Sequence, residues 1–180
     1  MARTLVPLVS GVEEMEAVIV IDMLRRAGWS VTSAAIDNPT VLASRGIQLI
    51  CDSAWDEIDP NTFNVLVIPG GAEGAQKLSA DNRILTTIRL FAKQHKTIAA
   101  ICAGPLVLQA AGVLKGRKAT CHPAVCDQLQ EPNLLEDRVV VDGNIITSRG
   151  PGTAIEFTLQ IIRSIDGDAK ANEVAKAMVV

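Results

Sequence analysis

Four strand-length apolar runs, residues 5–9, 31–36, 65–68 and 97–101, alternate along this chain with longer stretches of helical spacing. That alternation admits few folds. Consecutive parallel strands need a crossover connection, and right-handed crossovers place helices on both faces of the sheet. The run Val65-Leu66-Val67-Ile68 has no polar alternation, as expected of a strand covered on both faces. Aromatic residues make up 3% of the chain and Tyr is absent. The core must therefore be built from Val, Ile, Leu and Ala, which suits the same architecture. The fold class read from this pattern is α/β, a doubly wound, mostly parallel sheet with helices on both faces. A length of 180 residues, 48% apolar and 21% charged, fits one domain over residues 1–180.

Punctuation residues refine the pattern. Ser10, with Glu13 three residues later, reads as a capping box opening a helix, which Gly28 closes after Arg25 and Arg26. Residues 41–50 read as two short strands turning near Gly46, and 82–95 as a helix. A further helix is expected from Pro105, since Pro suits the first helical turn. Residues 139–141 and 145–147 bracket Asp142-Gly143-Asn144 as a hairpin, and helices are expected over 153–165 and 169–178.

Composition also limits function. The net charge is −3 and the basic residues are scattered, so no direct nucleic-acid binding is expected. No apolar stretch reaches membrane-spanning length, and residues 5–9, followed by Glu13, Glu14 and Glu16, do not resemble a secretory signal. The four cysteines, Cys51, Cys102, Cys121 and Cys126, are accordingly read as free thiols in a reducing, cytoplasmic compartment.

In open α/β sheets ligands bind beyond the carboxyl ends of the strands, so the residues following each run matter most. After residues 97–101 comes Cys102-Ala103-Gly104-Pro105, where a buried strand turns sharply into a helix with the thiol at the turn. This setting resembles a nucleophile elbow, and the helix N-terminus just beyond the sulfur is expected to lower its pKa from the free value of about 8.5. Cysteine is readily buried for packing alone, but a strand-turn-helix position favours the nucleophile. After residues 65–68 comes Pro69-Gly70-Gly71, whose amides can approach a ligand and hold an oxyanion. The third end carries Glu13-Glu14-Met15-Glu16. With Val20, Leu24 and Ala27 as the core face, helical spacing directs Glu13 and Glu16 inward and Glu14, with Asp22 and Arg25, toward water. Glu13 is assigned to the cap, which leaves Glu16 as an inward carboxyl with a raised pKa, suited to general acid–base work. A surface carboxylate favoured by the helix dipole fits the pattern equally.

Two histidines are present. His95, beside Lys93 and Lys96, reads as a solvated residue near a helix end. His122 follows the short run 118–121 and precedes Pro123, a strand end from which it can orient or deprotonate a group beside Cys102. Cys121, His122 and Cys126 lack a second ligand pair at familiar zinc spacing, so no metal site is expected.

Taken together, Gly11-Val12-Glu13-Glu14-Met15-Glu16, Arg25-Arg26-Ala27-Gly28, Pro69-Gly70-Gly71 with Gly74-Ala75-Gln76, residues 99–105 around Cys102, His122-Pro123, and Thr147 to Thr153 resemble the ThiJ/PfpI superfamily, and within it the Parkinson's-disease-associated deglycase branch. The resemblance runs nearly end to end. It implies a flavodoxin-like fold, a homodimer, Cys102 as nucleophile, Glu16 as its protonated partner and His122 completing the pocket. Gly71 and Ala103 would be backbone donors near the sulfur, and Arg45 an arginine closing the site, contributed across a dimer interface. Cys51 matches a peripheral family cysteine, whereas Cys121 and Cys126 depart from the pattern. The implied activity is a cofactor-independent glyoxalase acting on methylglyoxal and glyoxal, with deglycation of early adducts on proteins and nucleotides, protecting against carbonyl and oxidative stress. A redox sensor or chaperone using an oxidised Cys102 is the second reading. An intracellular cysteine peptidase or amidotransferase is the third, and an amidotransferase is disfavoured because no His follows His122.

Overall fold

All four apolar runs become strands of one seven-stranded sheet. The computed structural model describes residues 1–180. In chain order the elements are β1 (Arg3–Leu8), α1 (Glu14–Arg26), β2 (Ser30–Ala35), β3 (Thr40–Leu42), β4 (Gln48–Ile50), β5 (Ser53–Ala54), β6 (Val65–Ile68), α2 (Ala72–Ala80), α3 (Asn82–Lys93), β7 (Thr97–Ile101) and α4 (Gly104–Ala110). They continue with β8 (Lys118–Ala119), β9 (Asn133–Leu134), β10 (Val139–Asp142), β11 (Ile145–Ser148), α5 (Ala154–Asp166) and α6 (Asp168–Ala177).

The sheet order is β10-β11-β7-β6-β1-β2-β5, parallel throughout except for β10 against β11. Counting only the crossover-connected strands β1, β2, β6, β7 and β11, the order is second, first, third, fourth, fifth, which is the flavodoxin-like winding. Period-two alternation sorts the side chains into two cores. Val65, Val67, Ala99 and Ile101 face α1, α5 and α6, together with Leu24, Phe157 and Ile161. Leu66, Ile68, Ile98 and Ala100 face the other layer with Leu78, Phe91 and Leu108. Both faces are covered, which is why β6 carries no polar residue. The hairpins expected around Gly46 and Gly143 form as β3–β4 and β10–β11.

Two local expectations fail. Ser10 lies in a turn and opens no helix: α1 begins at Glu14, with Glu13 as an N-cap that makes no side-chain cap. The Glu13 carboxylate is drawn instead to the Ser44 hydroxyl, 2.7 Å away. Helix α2 lies outside every expected element. Its apolar face is thin, and Gly74 within it permits close approach to the Val12 backbone, which an added Cβ would meet at 2.9 Å.

The winding reverses between β1 and β6, and at that switch point the loops after β1, β6 and β7 converge. Register finishes the arrangement. Ile68 pairs with Ala100, so Pro69-Gly70-Gly71 and Cys102 leave the sheet at nearly the same level.

Candidate active site

Cys102 sits at the tip of β7 with φ +63, a left-handed conformation that a non-glycine residue adopts at a cost of roughly 1–2 kcal/mol. The surrounding chain holds it there. Its N–H donates to the Ser148 carbonyl at 3.0 Å, and its carbonyl accepts from the His122 N–H at 3.0 Å. The strained turn lifts the sulfur out of the sheet and into a cavity of about 410 Å³, lined among others by Arg45, Gly71, Cys102, Ala103 and His122.

Glu16 lies beneath the sulfur rather than on the cavity wall, and is 0% exposed. Its Oε2 accepts the Gly70 N–H at 2.7 Å, its carboxyl shares a hydrogen bond with the Cys102 thiol, and Oε1 has no oxygen or nitrogen partner. Burial pushes this carboxyl up to about 7, despite the Gly70 and Cys102 hydrogen bonds that pull it down, and nearby Glu13 adds to the rise. The inward, raised carboxyl expected at this position is therefore present.

Gly70 and Gly71 make the close packing feasible. A Cβ at Gly70 would stand 2.6 Å from Cys102 Cβ and 2.7 Å from Glu16 Oε2. Gly71 has φ +91, and a Cβ there would meet the Gly11 carbonyl oxygen at 2.1 Å and the Glu13 nitrogen at 2.7 Å. Gly71→Ala is expected to destabilise the fold by about 3 kcal/mol, lowering Tm by roughly 10 °C. A melting curve within about 2 °C of wild type would contradict this loop geometry.

The thiol itself requires a correction. Its place before α4 predicts a lowered pKa, but burial and the Glu16 carboxylate push it up to about 12, and the amides of Gly71 and Ala103, which donate to the sulfur, offset only part of this. One cause governs both groups. A second negative charge beside the first is costly in this pocket, so the thiol keeps its proton where the Glu16 carboxyl has lost its own, with the hydrogen bond between them as the route for proton transfer.

Glu14 also departs from expectation. It is 3% exposed rather than facing water, and its Oε1 accepts the backbone N–H groups of Arg45 at 2.8 Å and Ile47 at 3.5 Å. Burial raises its pKa, but those amides and Ser44 outweigh burial and leave it below the ordinary carboxylate value. Ser44 Oγ stands 2.7 Å from Glu13 and 2.9 Å from Glu14, and with one proton it donates to one of them at a time. Glu14 is thus the anchor of the β3–β4 turn. No sequence signal marks it except its place between two assigned acids. The turn presents Arg45 at the cavity mouth, where its guanidinium makes no ion pair or hydrogen bond.

His122 caps the 3₁₀ segment Pro123–Gln128, its Nδ1 accepting the Ala124 N–H at 3.2 Å. In the neutral ring the proton is therefore on Nε2. The residue lines the cavity, where the Nε2–H of the neutral ring is free to donate. No three His, Cys, Asp or Glu side chains are gathered around a common point that a metal ion could fill. The structure thus brings Cys102, Glu16, His122, Gly71, Ala103 and Arg45 to one place, while His95 stays apart at the end of α3 with φ +54. No helix is long and apolar enough to cross a membrane.

Comparison with known proteins gives concordant results. The model of the DJ-1/PfpI family matches residues 2–164. Protein DJ-1 homolog B of Arabidopsis thaliana is 44% identical over 99% of this chain and 41% of its own length. This chain spans less than half the length of the curated Arabidopsis relatives it matches. A Caenorhabditis elegans protein named glutathione-independent glyoxalase DJR-1.2 is 37% identical over 92% of this chain and 89% of its own. The crystal structure of Drosophila melanogaster DJ-1beta superposes with a TM-score of 0.96 at 40% identity, covering 99% of this chain and 98% of that one.

Proposed function

Because the chain belongs to the DJ-1/PfpI family, we propose that it is a cofactor-independent glyoxalase that converts methylglyoxal and glyoxal into hydroxy acids through Cys102. The observation that carries this reading is the strained cysteine seated on a buried carboxyl, with two amides aimed at its sulfur. The relative named as a glutathione-independent glyoxalase supports it.

The chemistry follows from the shared proton. As sulfur attacks the aldehyde carbon, the thiol proton passes to Glu16, a C–S bond forms and the carbonyl π pair moves to oxygen. The Gly71 and Ala103 amides, already directed at the sulfur, stabilise the adjacent oxyanion, which then takes the proton back from Glu16. The Glu16 carboxylate next removes the C1 proton, giving an enediol whose second oxygen is met by the His122 Nε2–H. Reprotonation at C2 leaves a thioester on Cys102. Water cleaves its C–S bond, returning the thiol and releasing lactate from methylglyoxal or glycolate from glyoxal. Arg45, unpaired at the mouth, receives the carboxylate product. Early glycation adducts on proteins or nucleotides offer a related carbonyl at the same sulfur, and the same chemistry would protect against carbonyl stress; a cytoplasmic role that extends to oxidative stress is part of the reading.

A homodimer is part of the same reading. α1 and the β3–β4 hairpin expose Val18, Ile47 and Ile50, the last 82% accessible, and Val18, Ile21, Leu49 and Ile50 share one groove. A second copy covering this face would bury apolar surface otherwise left in water and would hold the hairpin that carries Arg45. Ile50→Glu is expected to weaken self-association at least tenfold in sedimentation equilibrium. An unchanged association constant would remove this face from the interface.

The direct test is lactate formation from methylglyoxal by the purified protein, without glutathione or added metal. No lactate, with peroxide readily converting Cys102 to a sulfinic acid, would move the assignment to the redox sensor, for which protonated Glu16 is an equally suitable donor to the oxidised sulfur.

A further inference from the structure

We propose that Cys121 and Cys126 form a reversible dithiol–disulfide site in the cavity wall, oxidised by hydroperoxides or low-molecular-weight disulfides. Their sulfurs stand 2.9 Å apart, and Cys126 Sγ lies 3.5 Å from the His122 carbonyl oxygen. A disulfide bond is about 2.0 Å long, so closure asks the sulfurs to approach by roughly 1 Å. Only four residues separate the two cysteines, so little loop entropy opposes the bond.

Exposure divides the roles. Cys121 is 1% exposed, while Cys126 is partly exposed on the 3₁₀ segment and is the sulfur an oxidant reaches first. With a hydroperoxide, the Cys126 thiolate attacks the outer peroxide oxygen, the O–O bond breaks, an alcohol or water leaves, and a sulfenic acid remains. Cys121 then attacks the sulfenic sulfur, the S–S bond forms, and its thiol proton leaves with the hydroxyl as water. With a disulfide such as oxidised glutathione, Cys126 displaces one thiol and Cys121 the second. In both routes the two cysteines lose two electrons and two protons, and the oxidant is reduced by the same number.

The ring so closed encloses His122, Ala124 and Val125, which line the cavity of Cys102. Oxidation replaces the Cys126 contact with the His122 carbonyl by a covalent tether and fixes the wall that carries the imidazole. If the glyoxalase reading holds, on which this consequence alone rests, turnover falls severalfold with Cys102 still reduced.

Disulfide formation is read without any activity. Trypsin cleavage at Lys118 and Arg138 yields one peptide, residues 119–138, holding Cys121 and Cys126 and neither Cys51 nor Cys102. After treatment of the intact protein with oxidised glutathione, or with one equivalent of hydrogen peroxide, and alkylation, this peptide is expected to be two hydrogens lighter than its unalkylated dithiol form. The same change is expected in Cys102→Ser, is reversed by dithiothreitol, and is absent from Cys126→Ser. Two alkylated thiols in this peptide, under conditions that have converted Cys102, would overturn the proposal. So would a peptide joining Cys121 to Cys102.

Discussion

Cys102→Ser is expected to abolish lactate formation from methylglyoxal, with a loss of about a thousandfold or more in kcat/KM, while leaving the protein folded. The loss follows from the nucleophile. A serine hydroxyl beside Glu16 is far less acidic than a thiol and makes a poorer attacking atom, so the first covalent step fails although the amides of Gly71 and Ala103 remain. The fold survives because the substitution exchanges one sulfur for one oxygen. The introduced serine would inherit the backbone bonds to Ser148 and His122 and the same left-handed φ, so stability should stay within about 1 kcal/mol. Cys102→Gly separates strain from chemistry. It should be equally inactive, yet relief of the positive φ should offset part of the packing it loses. Turnover retained in Cys102→Ser would end the nucleophile assignment and every step built on it.

The elbow was legible because its signals are local. An apolar run, a cysteine and then Gly104-Pro105 specify a strand, a turn and a helix start without reference to the rest of the chain. Pro69-Gly70-Gly71 was legible for the same reason, and the parallel fold places it beside the cysteine through the β6–β7 register. What stayed hidden depends on contacts across sequence. Glu14 points toward water on an ideal helix, but the β3–β4 turn folds over that face and offers it the amides of Arg45 and Ile47. Ser10 and Glu13 have capping-box spacing, yet Ser44, 31 residues beyond Glu13, competes for the carboxylate. The thiol pKa illustrates the limit most directly. The helix start favours a thiolate, but the carboxylate that opposes it comes from α1, and its closeness to the sulfur appears only once β1, β6 and β7 are assembled.

Glu16→Gln is expected to lower turnover by about 10² to 10⁴-fold, since the amide can neither take the thiol proton nor move one between the substrate carbons. The same substitution should change the pH dependence of stability in a definite direction. Glu16 ionises near 4.5 in the unfolded chain and near 7 in the folded protein. Between those values the folded state keeps a proton that the unfolded state has lost. Stability from this group is thus fully present below about pH 4.5, declines as pH rises through 7, and is lower by about 3 kcal/mol above that. The introduced glutamine would carry no charge at any pH and would escape the decline, although it sets an amide NH₂ in place of a shared proton beside the sulfur. Denaturant melts of both proteins from pH 4.5 to 8 should therefore show the difference moving in favour of Glu16→Gln as pH rises, while its lactate formation stays near background. In the wild type the thiol does not disturb this window, because burial and the Glu16 carboxylate hold its ionisation up to about 12; in Glu16→Gln burial, the larger cause, remains to hold it up. A stability difference that stays constant across these pH values would mean that Glu16 ionises at its ordinary value in the fold, and the proton transfer assigned to it would have to come from another group.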